Sequence, residues 1–145
     1  MKLMTAAAIA AALTMFVSVR AEAHDAYARA YFRDGEYRAD GYVGNQRTSF
    51  VIDTGSTLTM VNSSLLEGLK PYGSDQGALA DGTISTALVY FVPQLCIGNL
   101  CLLDIPVLST NGDNLIGTDL LHLLRAKIEI DNQIMVIHGT DRYGN

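Results

Sequence analysis

A chain of 145 residues, 49% of them apolar, with a formal charge of −5 holds one domain that can build a core without metals or dense cross-linking. The acidic balance argues against nucleic acid or an anionic membrane surface as a partner. His24, His122 and His138 are scattered without ligand spacing, and neither a Gly-x-Ser-x-Gly elbow nor a phosphate loop occurs. Metal, serine and nucleotide chemistry therefore find no support, and no cofactor is expected.

In chain order, residues 1–23 read as a secretory signal peptide. Lys2 gives a short positive start, Thr5 to Val19 is almost wholly apolar, and Ala21-Glu22-Ala23 has the small-x-small form of a cleavage site. An uncleaved anchor is the alternative, but the apolar run falls short of the roughly 20 residues that span a bilayer, and Arg20 closes it. The expectation is a secreted or periplasmic protein with no stable membrane anchor after cleavage. Residues 24–35 form an N-terminal tail in this reading, compatible with a helical turn or a loose segment. The domain is expected at 36–138, with a frayed C-terminal tail at 139–145.

From Gly35 the period changes to two. Glu36, Arg38 and Asp40 alternate with Tyr37 and Ala39, Gly44-Asn45 marks a turn, and Ser49 to Ile52 returns. This second strand delivers Asp53 straight into a turn of Thr54, Gly55 and Ser56. An unpaired ionised carboxylate beside buried apolar residues costs several kcal/mol. Asp53 is thus either a turn or helix-cap residue, or an acid held in place for chemistry.

Further on, Leu58 to Val61 reads as a strand and Ser63 to Glu67 as a short helix capped by Asn62 or Ser63. Pro71 to Gly77 is rich in turn formers and reads as a loop. Ala78-Leu79-Ala80 and Thr83-Ile84 flank Asp81-Gly82, a strong two-residue hairpin signal. Strands follow over Thr86 to Val92, interrupted at Pro93, and over Leu100 to Ile105, interrupted at Pro106, with Gly98-Asn99 as the turn between them. That turn sets Cys96 opposite Cys101 as the close, non-hydrogen-bonded pair, and in an oxidising compartment a Cys96–Cys101 disulfide is predicted. Thr110 to Asn114 is a loop leading into Leu115-Ile116-Gly117. A short helix started by Thr118 or Asp119 follows, and a hairpin over Lys127 to Ile137 closes the domain. Seven or eight short strands with one or two small helices point to an all-β class, a closed or partly open barrel.

Taken together, Asp53-Thr54-Gly55 and Leu115-Ile116-Gly117, in this order and at this separation, resemble the retropepsin-like family of aspartic proteases across roughly residues 36 to 138. The resemblance implies a small β-barrel with catalytic Asp53, Thr54 and Gly55. Leu115, Ile116 and Gly117 would support the catalytic loop from behind, and Asp81 and Gly82 would sit on a flap over a peptide or protein substrate. The leader and the cysteine pair look more like bacterial than viral members. Carboxylate-driven hydrolysis needs two acids sharing one proton across a water, and this chain carries one Asp-Thr-Gly. The resemblance therefore implies a homodimer in which two copies of Asp53 meet at a two-fold axis. Two other classes compete with the endopeptidase: a non-catalytic peptide-binding or dimerisation module on the same fold, and a monomeric structural barrel in which the motif is coincidence.

Overall fold

The computed structural model of the chain describes residues 26–78 and 81–140. The expected signal peptide, Leu79, Ala80 and the last five residues lie outside them. Among the described residues, ten strands form one sheet: β1 (Ala26–Arg33), β2 (Glu36–Val43), β3 (Gln46–Ile52), β4 (Met60–Asn62), β5 (Gly73–Ala78), β6 (Ile84–Ile97), β7 (Leu100–Thr110), β8 (Asn114–Ile116), β9 (Lys127–Asp131) and β10 (Ile134–Gly139). A single 3-10 turn, Ser63–Leu66, is capped by the Asn62 side chain, and one helix, α1, spans Thr118–Leu123.

The sheet closes on itself. Its order runs β6-β7-β4-β8-β3-β2, and β2 then pairs back onto β6 through Gly41–Ile97, Tyr42–Cys96 and Val43–Leu95. Six strands thus make a barrel without free edges of their own. Strands β1, β10 and β9 extend the sheet beyond β2, and β5 extends it beyond β6. Phe50, Val61, Val92, Leu95, Ile97, Leu100 and Ile116 fill the interior, with Leu124 and Ile137 packed against them. Closure depends on Gly41. A Cβ there would stand 2.0 Å from the Cys96 carbonyl oxygen and 2.9 Å from the Phe50 ring, so two backbones meet where no side chain fits.

Most predicted elements are present, and the predicted disulfide joins Cys96 to Cys101 directly across the β6–β7 pair, with Cα atoms 4.1 Å apart. Five readings need correction. Residues 26–33, read as part of a tail, form strand β1, between β10 and β2. Its alternation was hidden because its buried residues are alanines, which contrast weakly with polar neighbours. Residues 73–78 are strand β5, because β6 offers six backbone partners to a segment whose composition reads as loop. Among the described residues the innermost pair of that hairpin is Ala78–Ile84, and Thr83, read as part of the returning strand, lies outside it. Pro93 and Pro106 do not interrupt β6 and β7, which pair on both sides of each proline. The C-terminal segment is ordered through residue 140, with Thr140 N–H donating to the Leu124 carbonyl at 3.0 Å.

The closure argument predicts that Gly41→Ala lowers stability by about 3 kcal/mol. Gly73→Ala, where an added Cβ meets nothing within 4 Å, leaves the unfolding midpoint nearly unchanged. Urea denaturation of both variants checks this, and equal midpoints would mean that β2 and β6 do not close the barrel.

Candidate active site

Strand β3 ends at Ile52, and the parallel ladder it forms with β8 carries on by one bond, from Asp53 N–H to the Ile116 carbonyl at 3.0 Å. The chain then turns sharply. Gly55 N–H donates to Asp53 Oδ1 at 2.9 Å and Ser56 N–H to the Asp53 carbonyl at 3.1 Å. Asp53 is half-buried, while Thr54 and Gly55 are exposed. The loop therefore presents the carboxylate at the barrel's end with one oxygen held, and Oδ2 makes no hydrogen bond among the described residues.

Leu115 and Ile116 lie on β8, paired with the strand that leads into this loop, and Gly117 follows them. Strand β8 slots between β3, to which it is parallel, and β4, to which it is antiparallel. Gly117 is required by contact: a Cβ would sit 2.6–2.9 Å from the backbone of Leu58. Past Gly117 the chain grips the far side of the loop, with Thr118 N–H donating to the Ser56 carbonyl at 2.9 Å and Asp119 N–H to that of Thr57 at 3.3 Å. Helix α1 starts at Gly117 and takes no side-chain cap from Thr118.

Two residues that sequence reasoning passed over complete the arrangement. Thr59 is buried, and its hydroxyl accepts from Gly117 N–H at 3.1 Å and donates to Asp119 Oδ1 at 2.7 Å. Asp119 Oδ2 accepts from Thr59 N–H at 3.0 Å, and Oδ1 also accepts from Leu120 N–H at 2.7 Å. The sequence places Asp119 only as a possible start of the short helix. The available signal was a polar, β-branched Thr in the strand after the loop and an acid in the first turn of α1, but the 60-residue gap between them hides the pairing.

Asp81 and Gly82 stand at the tip of the β5–β6 hairpin, away from these contacts. The Asp81 carboxylate accepts from the Thr83 hydroxyl at 2.7 Å and from its N–H at 2.9 Å. Those two bonds hold its carboxyl below the ordinary carboxylate value. A groove of about 310 Å³ lies against the hairpin, lined by Ala78, Thr86 and Leu88 with Met60, Leu108 and Asn111. A more open hollow of about 670 Å³ beside α1 is lined by Thr118, His122 and Arg125 and has no carboxylate in its wall. The chemistry is therefore located by the Asp53 loop and not by cavity size.

A family model described as aspartyl protease matches residues 39–120, a span that contains both the Asp53 loop and its support. The chain belongs to the retropepsin-like aspartyl protease family. Among solved structures, the crystal structure of a retropepsin-like aspartic protease from Rickettsia conorii superposes with a TM-score of 0.59 at 19% identity, covering 79% of this chain and 93% of that one. At that identity the likeness bears on the fold, which is the all-β retropepsin-like one. A foamy viral protease-reverse transcriptase in complex with an RNA/DNA hybrid matches at 18% identity and a TM-score of 0.49, over 57% of this chain and 11% of that one, and adds nothing to the argument. No curated protein matches the sequence. Membership of the family supports peptide-bond hydrolysis as the class of chemistry.

Removing the Asp119 carboxylate leaves the buried N–H of Thr59 and that of Leu120 without acceptors. Asp119→Ala is therefore expected to cost roughly 2–4 kcal/mol. Thr118→Ala removes only a 3.3 Å hydroxyl bond to the Ser56 carbonyl and should cost under about 1 kcal/mol. Chemical denaturation distinguishes the two, and equal small effects would show that Asp119 does not hold the loop.

Proposed function

We propose that this chain is an aspartic endopeptidase active as a homodimer, with Asp53 from each copy forming the catalytic pair. The observation that carries this reading is a half-built site. The sequence has one Asp-Thr-Gly, its carboxylate is presented with Oδ2 open among the described residues, and Asp119 and Asp81 are both engaged elsewhere. Asp119 spends both oxygens on Thr59 and Leu120, and Asp81 is bound to Thr83. A second carboxylate then has to come from a second copy, and a two-fold axis through the exposed Thr54-Gly55 turn supplies it automatically.

In that dimer the two acids share one proton, since like charges so close do not both ionise readily. The ionised carboxylate takes a proton from a water whose oxygen attacks the peptide carbonyl carbon, while the protonated one donates to the carbonyl oxygen. Collapse of the tetrahedral adduct breaks the C–N bond as a proton passes to the leaving nitrogen. Thr54 holds the two loops in register across the axis. Gly55 N–H steadies one carboxylate oxygen without a side chain in the way, and the Asp81-Gly82 tip closes over substrate. The leader pattern and the Cys96–Cys101 disulfide support a place outside the cytoplasm, secreted or periplasmic, where thiols oxidise.

The test is cleavage of a mixed peptide library by protein beginning at His24, beside Asp53→Asn. That substitution nearly preserves shape, so folding and dimerisation should stay unchanged while the rate falls by about 10²–10⁴-fold or more. Specific activity should also fall on dilution as the dimer dissociates, in step with sedimentation. A folded, dimeric and inert wild type would favour a peptide-binding module, and a monomer at high concentration would favour a structural barrel.

A further inference from the structure

Strand β1 reads Ala-Tyr-Ala-Arg-Ala-Tyr-Phe-Arg. Its inward residues Ala26, Ala28 and Ala30 are buried but small, so the strand contributes little apolar bulk to the core. Its bulk faces outward instead, as an alternating stripe of Tyr27, Arg29, Tyr31 and Arg33. Surface strands that are merely solvated have no need of that chemistry.

The stripe forms one wall of a cleft. Strands β1 and β2 pair only at Tyr31–Arg38, Phe32–Tyr37 and Arg33–Glu36. Beyond that they diverge, β2 toward β6 and β1 along β10. The Gly98-Asn99 turn bridges the gap, with Gly98 N–H donating to the Asp40 carbonyl and Asn99 N–H to the Tyr27 carbonyl, each at 3.1 Å. What remains on the outer face is a cavity of about 480 Å³, with Arg38 and Asp40 on the wall opposite the stripe.

Three guanidiniums and one carboxylate line this cleft in a chain whose net charge is −5. Arg38 is held by Glu36 and Asp113, each at 2.8 Å, and Asp40 by Arg47 at 3.2 Å. Arg29 lies 5.4 Å from the centre of the Tyr27 ring. Neither Arg29 nor Arg33 is in an ion pair among the described residues. Tyr27 and Tyr31 are 39% and 43% exposed, enough to offer ring surface to a ligand.

We propose that this cleft is an exosite for an acidic stretch of the polypeptide substrate, an inference that rests on the peptidase reading for its choice of ligand. Arg29 and Arg33 bind single carboxylates through forked, charge-assisted hydrogen bonds. The tyrosines pack against the intervening side chains, and Tyr and Arg are the residues that carry most energy at peptide and protein contacts. Spaced carboxylates fit better than a phosphate backbone, because Glu36, Asp40 and Asp113 flank the cations and a continuous polyanion would run against them. Arg38 pairs with Val51, two residues before Asp53. A substrate held by its acidic stretch is thereby kept at high effective concentration beside the catalytic end of the same barrel.

The experiment titrates Asp53→Asn protein with a ten-residue peptide alternating Glu and Tyr, the same peptide with Gln for Glu, and single-stranded DNA ten nucleotides long. The acidic peptide is expected to bind at least about tenfold more tightly than the Gln peptide and to weaken with salt. Arg29→Gln/Arg33→Gln should lose that preference, keep its melting temperature, and with Asp53 intact cleave a short neutral peptide at the unaltered rate. Equal binding of the acidic and Gln peptides, a preference untouched by the double variant, or tighter binding of the DNA would each overturn the exosite. Absence of neutral-peptide cleavage would instead count against the catalytic reading and leave the binding result standing.

Discussion

The catalytic end of this barrel depends on a carboxylate that takes no part in the proposed chemistry. Asp119 gathers the Thr59 hydroxyl, the Thr59 N–H and the Leu120 N–H, while the same hydroxyl receives Gly117 N–H. Five polar groups in a partly buried place are thus joined by four hydrogen bonds, and leaving any of the donors unmatched would cost more than a typical bond contributes. The consequence is geometric. The loop holding Asp53 is fixed from one side by the β8 strand and from the other by the first turn of α1, so the carboxylate's position does not rest on its own turn alone.

That arrangement also bears on the proposed dimer, in which each protomer would carry half a site. The supporting acid is spent on structure, and the acid at the flap tip is spent on its own turn through Thr83. Asp53 is left with one oxygen steadied by Gly55 N–H and the other without a hydrogen bond among the described residues. A single barrel therefore holds a pre-positioned acid with no partner among the residues that sequence order brings nearby. In the proposed homodimer symmetry is the economical remedy, because one loop, duplicated by an axis, would meet its own copy.

The strands outside the barrel have a different character from those within it. Inside, closure demands close backbone contact at Gly41 and a full set of apolar side chains such as Phe50, Leu95 and Ile97. Outside, β1 and β5 are held mainly by backbone pairing: β1 gives the core only three alanines, and β5 is almost wholly exposed. The flap hairpin and the Tyr-Arg stripe both belong to this outer set. Elements whose side chains are not needed for the core are the ones free to carry recognition.

Much of this protein was legible in its residues. Asp53-Thr54-Gly55, Leu115-Ile116-Gly117, the Gly44-Asn45 and Gly98-Asn99 turns and the Cys96–Cys101 register are local patterns, set by turn geometry and by the two-residue period of a strand. What the sequence by itself determined was therefore the all-β class, the family resemblance and the identity of the candidate acid. The tertiary structure decided the rest. Strand β1 exists because β10 and β2 pair with it, β5 because β6 does, and both prolines stay inside strands because the neighbouring residues pair on either side. The roles of Thr59 and Asp119 emerge only when residues 60 positions apart share hydrogen bonds. Local chemistry reads out of the sequence because its partners are neighbours in the chain. A backbone pair or a buried hydrogen bond is decided by whichever distant segment the folded chain brings alongside.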